Sequence, residues 1–190
     1  MSDQSGCAPG PADFALACVH CHVSGRPAPA PPGQPLYQRP AACFVTLKKH
    51  GELRGCIGTL EPAEGSLGDE IVHNARSSAL RDPRFPPVTT DEWEALTCSV
   101  DVLSPSESCA LTDLDPERFG VIVEAGGRRG VLLPALAGVE TVGAQVGIAL
   151  QKAGIRAEEP FHVRRFTVTR YRQGDAAGAE PAGPDDEADG

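Results

Sequence analysis

Aromatic residues are scarce in this sequence: six Phe, one Trp and two Tyr among 190 residues. Its core must therefore be aliphatic, filled by Leu, Ile, Val and Ala. Long apolar runs are also missing. No stretch approaches the roughly 18 apolar residues that a membrane-spanning helix needs, so no membrane partner is expected. Basic charge is short as well, since the net charge is −9 and the last eighteen residues hold six carboxylates without a Lys or Arg. The remaining −3 contains no basic stripe that could neutralise a run of phosphates, which argues against a nucleic-acid ligand. The beginning, MSDQSGCAPGPADF, has neither a basic start nor a long apolar run, so a cytoplasmic location is expected. In that compartment the seven cysteines should be thiols, and their odd number and irregular spacing suggest no disulfide framework. No glycine-rich nucleotide loop, Ser/His/Asp signature or convincing metal cluster appears, so no cofactor is expected.

What is present is a sequence of short, well-punctuated elements whose length suits one domain. Residues 1–11 should be flexible, 12–172 folded, and 173–190 a disordered acidic tail whose composition cannot repay its ordering entropy. Asp13 can cap a helix to Val23, with Leu16, Val19 and Val23 at helical spacing. The connector RPAPAPPGQPLYQRP, with six prolines, should cross the surface as extended chain. ACFVTLKK and LRGCIGTL read as the two strands of a hairpin around HGE. Ser66 followed by Asp69 opens a helix to about Leu80, and the prolines of RDPRFPP end it. TDEWEAL predicts a helical turn, TCSVDVLS a strand, and FGVIVEAGGRRGVLLP a second hairpin turning on Gly126 and Gly127. Thr141 can cap a helix that Gly154 stops, and FHVRRFTVTRY is the last strand. Hairpins interleaved with helices, without a βαβ repeat, predict an α+β fold with a largely antiparallel sheet.

The stretch LRGCIG places a cysteine between two glycines, a costly choice in a strand. By alternation Leu53, Gly55 and Ile57 face one way, toward the core, while Arg54, Cys56 and Gly58 face the other. Arg54 and Cys56 would then lie about 7 Å apart by strand rise. A guanidinium at that range raises the thiolate fraction, the nucleophilic form, and Gly55 and Gly58 leave room for a ligand or another backbone. The plainer alternative is that Cys56 is a small buried hydrophobe and the glycines mark a bulge or a tight helix–sheet contact.

On the following helix Glu70, Asn74, Ser77 and Arg81 form one polar row. If that row faces Cys56 it completes a cleft holding a thiol, a base and anion-binding donors; otherwise it is a solvated edge on which Asn74 ties down a loop. His73 projects off the row and reads as surface. Arg84 in DPRFPP points either toward a ligand or into a packed corner plugged by Phe85. Arg128 and Arg129 read as solvated charge at a hairpin end. CVHCH, Cys18 to His22, matches a haem-attachment spacing and offers soft metal ligands, Cys18, Cys21 and His22. With no second Cys/His group at zinc-ligand spacing, a helix surface is the better reading.

The blocks FVTLKKHGELRGCIGTLEP, DPRFPPVT, SVDVLSP, GVIVEAGGRRGVLLP and GVETVGAQVGIALQKAGI resemble the AMMECR domain family, known in prokaryotes as protein A of the AmmeMemoRadiSam system. LRGCIG is that family's signature, and Glu70 and Asn74 also match family positions. The resemblance implies an α+β fold with a main lobe, a smaller lobe against it, and the signature near the cleft between them. It also implies two companions, a Memo-like protein related to non-haem iron dioxygenases and a radical SAM protein. It implies no reaction. Gly68 and Gly143 depart from the family by replacing better helix formers, which puts local helix stability in question.

Two functions follow from these residues. One is a cleft protein acting on a small anionic substrate, with Cys56 as nucleophile or anchor, Glu70 as acid or base, and Arg54, Gly55, Gly58 and Asn74 shaping and binding. The other is a non-catalytic adaptor for the same companions.

Overall fold

A computed structural model describes residues 9–177, which form two compact units. The first comprises 9–102 and 169–177; the second comprises 103–168.

In the first unit, α1 (Pro11–Val23) is capped at Gly10 with proline in its first turn, three residues before the Asp13 cap that the sequence predicts. Asp13 instead accepts a hydrogen bond from the Gly174 amide, 3.1 Å. The proline-rich connector is not wholly extended, because it contains the short helix α2 (Pro35–Gln38). Tyr37 on α2 is fully buried, with its hydroxyl donating to the Pro9 carbonyl at 2.7 Å. An aromatic side chain with one polar end gains more from the core than an extended path over the surface allows.

Strands β1 (Cys43–Lys49) and β2 (Glu52–Gly58) form the expected hairpin. α3 (Leu67–Leu80) begins at Ser66, whose hydroxyl accepts from the Asp69 amide, and a 3-10 turn covers Thr90–Ala95. With β3 (Leu96–Leu103) and β8 (Val168–Arg172) the sheet order is β2-β1-β3-β8. Cys43, Val45, Leu47, Cys98, Val100 and Val102 face α1 and α3, which contribute Phe14, Ala15, Val19, Leu67, Ile71 and Ala75 to the same core. The opposite face carries Phe44, Thr46, Ser99 and Asp101, and buried Asp101 is held by Arg170 of β8 at 2.7 Å.

The second unit has strand order β4-β7-β5-β6, from β4 (Glu107–Ser108), β5 (Gly120–Ala125), β6 (Arg128–Leu132) and β7 (His162–Phe166), with α4 (Val142–Ala153) packed on it. The β5–β6 turn has positive φ at Gly126 and Gly127, Thr141 caps α4, and Gly154 ends it at φ 64°. The single final strand predicted over FHVRRFTVTRY is two strands in two sheets, β7 and β8. They part at Thr167, whose backbone is gripped by Ser104: the Thr167 amide donates to the Ser104 hydroxyl at 2.9 Å, and the Ser104 amide donates to the Thr167 carbonyl at 3.0 Å.

Of the predicted acidic tail, Gln173 and Gly174 are tied to the first unit, the former accepting from the Cys98 amide at 3.0 Å. Asp175 accepts from the Arg172 amide at 2.6 Å, while 178–190 of the tail and residues 1–8 of the predicted flexible start lie outside the described residues. Among the described residues no helix is long and apolar enough to cross a membrane.

Candidate functional site

The signature strand departs from strict alternation. Leu47 opposes Gly55, but Lys48 opposes Leu53, so Arg54 is the extra residue of a β-bulge. A bulge re-aims the side chain it inserts. Arg54 turns away from the thiol and forms a two-pronged pair with Glu92 (2.9 and 2.8 Å), while its third nitrogen donates to the Pro86 carbonyl at 3.0 Å. Glu92 also takes Lys49 at 2.9 Å and the Thr89 amide at 3.0 Å, and these donors, Arg54 foremost, hold its carboxyl far below the usual range. Arg54 is thus not the cationic neighbour of Cys56. Leu53, expected in the core, is 42% exposed; it lies beside the bulge on the edge strand β2.

The two glycines have separate explanations. A Cβ on Gly55 would lie 2.2 Å from the Ser78 carbonyl, so α3 can lie on β2 only if this residue has no side chain. That closeness lets the Ser78 hydroxyl enter the hairpin ladder, accepting from the Ile57 amide at 2.9 Å and donating to the Val45 carbonyl at 2.7 Å. A Cβ on Gly58 would meet the Phe44 ring at 2.4 Å, on the opposite face of the sheet.

Glu70 and Asn74 lie on the helix side of the sheet, fully or almost fully buried. Glu70 binds the loop after β2, accepting from the Thr59 hydroxyl at 2.5 Å and the Ala63 and Glu64 amides at 2.9 and 2.8 Å. Asn74 donates to the Cys43 carbonyl at 3.0 Å. Cys56 pairs with Thr46 and so points to the other face. The sheet therefore separates the thiol from both residues, and the Cys/Arg/Glu/Asn constellation expected from the sequence is not assembled around one point.

Around Cys56 the structure gathers a different set. Its sulfur lies 3.2 Å from the Thr46 hydroxyl, and Ser99 stands next in the same cross-strand row. The Cys56 amide donates to Asp82 at 2.9 Å, and the Arg84 guanidinium donates to the Cys56 carbonyl at 3.1 Å. Asp82 and Arg84 are themselves paired at 2.7 Å, so together they engage both backbone groups of Cys56 at the free edge of β2, where another strand would otherwise dock. Hydrogen bonds from Arg84 depress the Asp82 carboxyl strongly. The hydrogen bond to the Cys56 carbonyl brings the Arg84 guanidinium, and not that of Arg54, to the residue that carries the thiol. Sequence reasoning missed Asp82 and gave Arg84 only as one of two options; the signal was the turn DPRFPP, which folds back onto β2.

Cys56 is half-buried, in contrast to Cys18, Cys43 and Cys98. Burial pushes the Cys18 and Cys43 thiols up to about 12 and raises Cys98 as well. Of the CVHCH motif, Cys18 is core and His22 packs against Val72. Among the described residues no group of three or more His, Cys, Asp and Glu side chains is gathered as a metal site. Arg128 pairs with Glu159, and Arg129 with Glu124 at 2.6 Å, so neither is simply solvated. Ser77 and Arg81 continue the helix row away from Cys56, where they line a groove with His73.

Two antiparallel sheets with packed helices, and a signature hairpin clipped by an Asp-Pro-Arg turn, define an α+β protein of the class that the signature announces. The AMMECR1 family model matches residues 12–174, and the chain belongs to that family. A Thermotoga maritima protein is 49% identical over 140 residues, 72% of this chain and 80% of that protein. A Clostridium acetobutylicum protein is 48% identical over 130 residues, where 68% of this chain matches 28% of a much longer one. The crystal structure of an uncharacterized protein, PH0010, from Pyrococcus horikoshii is similar with a TM-score of 0.73 and 26% identity, covering 90% of this chain and 95% of that one. None of these names carries a reaction.

Proposed function

We propose that this AMMECR1-family chain uses Cys56 as a nucleophile or covalent anchor for a small anionic substrate, with Arg84 filling the role that the sequence suggested for Arg54. It would act beside a Memo-like protein and a radical SAM protein. The observation that carries the site is the setting of this thiol: Cys18, Cys43 and Cys98 are sealed in the core, and of the half-buried Cys21, Cys56 and Cys109 it is Cys56 that has the Thr46 hydroxyl 3.2 Å from its sulfur and the Arg84 guanidinium on its carbonyl. Glu70 and Asn74 contribute by fixing the hairpin and the loop after it. The companions rest on the family resemblance, and the long Clostridium relative, in which the matching segment is one part of a larger chain, is in keeping with a domain that works alongside others.

Alkylation tests the site. Neutral iodoacetamide should label Cys56 well before Cys18, Cys43 and Cys98, and anionic iodoacetate should gain an advantage there that Arg84→Gln removes by several-fold. Equal labelling of all four, or an iodoacetate rate unchanged by Arg84→Gln, would defeat the reading. A second reading, the non-catalytic adaptor, draws support from the packing roles of Arg54, Gly55 and Gly58. It requires Cys56→Ala to retain both partner capture and the cellular phenotype.

A further inference from the structure

A second polar concavity lies away from Cys56, between the end of α1 and the outer face of α3. This groove of about 340 Å³ has an acidic end, at Glu64 and Asp69, and a basic end, at Arg76 and Arg81. The acidic end is already satisfied: Glu64 lies 3.1 Å from the His73 ring, and Asp69 accepts from the Ser66 hydroxyl at 2.6 Å. At the basic end neither guanidinium has an ion pair or hydrogen bond among the described residues. Between them Ser77 lines the groove; the residue is 8% exposed, and its hydroxyl is open to the groove with no hydrogen-bond partner among the described residues. A hydroxyl without a protein partner at a groove is free to bond water or a ligand there. His22 forms the opposite wall, its Nε2–H directed at the Val72 carbonyl at 3.3 Å. Burial lowers the His22 pKa, and Arg76 lowers it further.

Arginines near a helix C-terminus also complement the helix dipole. That accounts for their sign, but it leaves two guanidinium groups and a hydroxyl lining one groove without partners among the described residues. We propose that this end of the groove is an anion site for a phosphate or phosphate-ester group. Two guanidinium forks and a hydroxyl offer more donors than one carboxylate can accept, and they suit a tetrahedral oxyanion with three free oxygens. The groove volume falls within the range of small-molecule sites, so it accommodates a ligand larger than the phosphate alone. Cys56 takes no part in it.

The test is an NMR titration of the isotope-labelled full chain with inorganic phosphate at constant ionic strength, set against acetate and chloride. Phosphate should give saturable shifts clustered over residues 72–81, while acetate and chloride should give none that saturate. Arg76→Gln together with Arg81→Gln should weaken phosphate binding about tenfold or more, a loss typical of removed charge-assisted hydrogen bonds. Ser77→Ala, which removes an unpaired group and so leaves folding intact, should weaken it several-fold. Non-saturating shifts, equal binding of acetate, or unchanged affinity in either variant would overturn the proposal.

Discussion

The β1–β2 hairpin of the first unit and the β5–β6 hairpin of the second use the same packing device. In each, a helix backbone rests directly on a glycine of the returning strand. A Cβ at Gly55 would strike the Ser78 carbonyl of α3 at 2.2 Å, and one at Gly130 would strike the Ala149 carbonyl of α4 at 1.9 Å. The difference lies in what the helix brings. α4 presents Val146, Ala149 and Leu150, with polar contacts from buried Gln145 to the Phe119 carbonyl just before β5 at 2.7 Å and from Lys152 to the Val131 carbonyl at 3.2 Å. α3 brings Glu70, Asn74 and Ser78, whose side chains bond the hairpin backbone and the loop beyond it. A glycine in such a strand is therefore a mark of close helix packing, whether or not a reactive residue stands beside it. The distinctive features of the first hairpin are the Ser78 hydroxyl that bridges its two strands and the Asp82–Arg84 clip.

Breaking the shared device should have the largest effect. Gly55→Ala and Gly130→Ala should each lose about 3 kcal/mol, because backbone, not a flexible side chain, must move. Urea denaturation reads this, and a loss under 1 kcal/mol at either position would show that the helices do not press on the glycines.

The next effect separates the hairpins electrostatically. Glu92→Gln should lower stability by about 2 kcal/mol, through lost charged hydrogen bonds to Arg54 and Lys49. Glu92 and Asp82 both have depressed folded-state pKa values. Their contribution is fully present above the ordinary carboxylate range near 4 and is lost as pH falls through the lower folded values. Stability measured from pH 6 down to 2 should therefore fall less steeply in Glu92→Gln than in the unaltered chain; parallel curves would contradict the assignment.

Ser78→Ala tests the polar helix face itself. It leaves the Ile57 amide and Val45 carbonyl without their bridging hydroxyl and should lose about 1 to 2 kcal/mol in the same denaturation experiment. The smallest effect should be a gain. Nothing lies within 4 Å of a Cβ built on Gly143, so Gly143→Ala should stabilise by about 0.5 to 1 kcal/mol through helix propensity. Gly68→Ala, in α3, should not, because its Cβ would meet Pro31 of the connector at 2.4 Å. A matching rise in melting temperature for both variants would remove this distinction.

Local order was legible residue by residue. The Ser66 and Thr141 caps, the Gly126–Gly127 turn, the Gly154 stop and the pairing of β1 with β2 all follow from short-range stereochemistry that neighbours in sequence determine. The α+β class followed from the order of those elements, and the family from the signature and the blocks around it. The site was only half legible. Cys56 could be singled out by its neighbours, but its cationic partner could not, since one inserted residue in β2 turned Arg54 toward Glu92, 38 residues later in the chain. The same limit explains the last strand: FHVRRFTVTRY holds no Gly, Pro, Asn or Asp to mark a break, and the grip of Ser104 on Thr167, 63 residues away, is where it divides between two sheets. Capping, turns and strand periodicity are set by contacts within a few residues and are written in the sequence. Which face a polar side chain meets depends on register and on contacts between distant segments, and these exist only once the chain has folded.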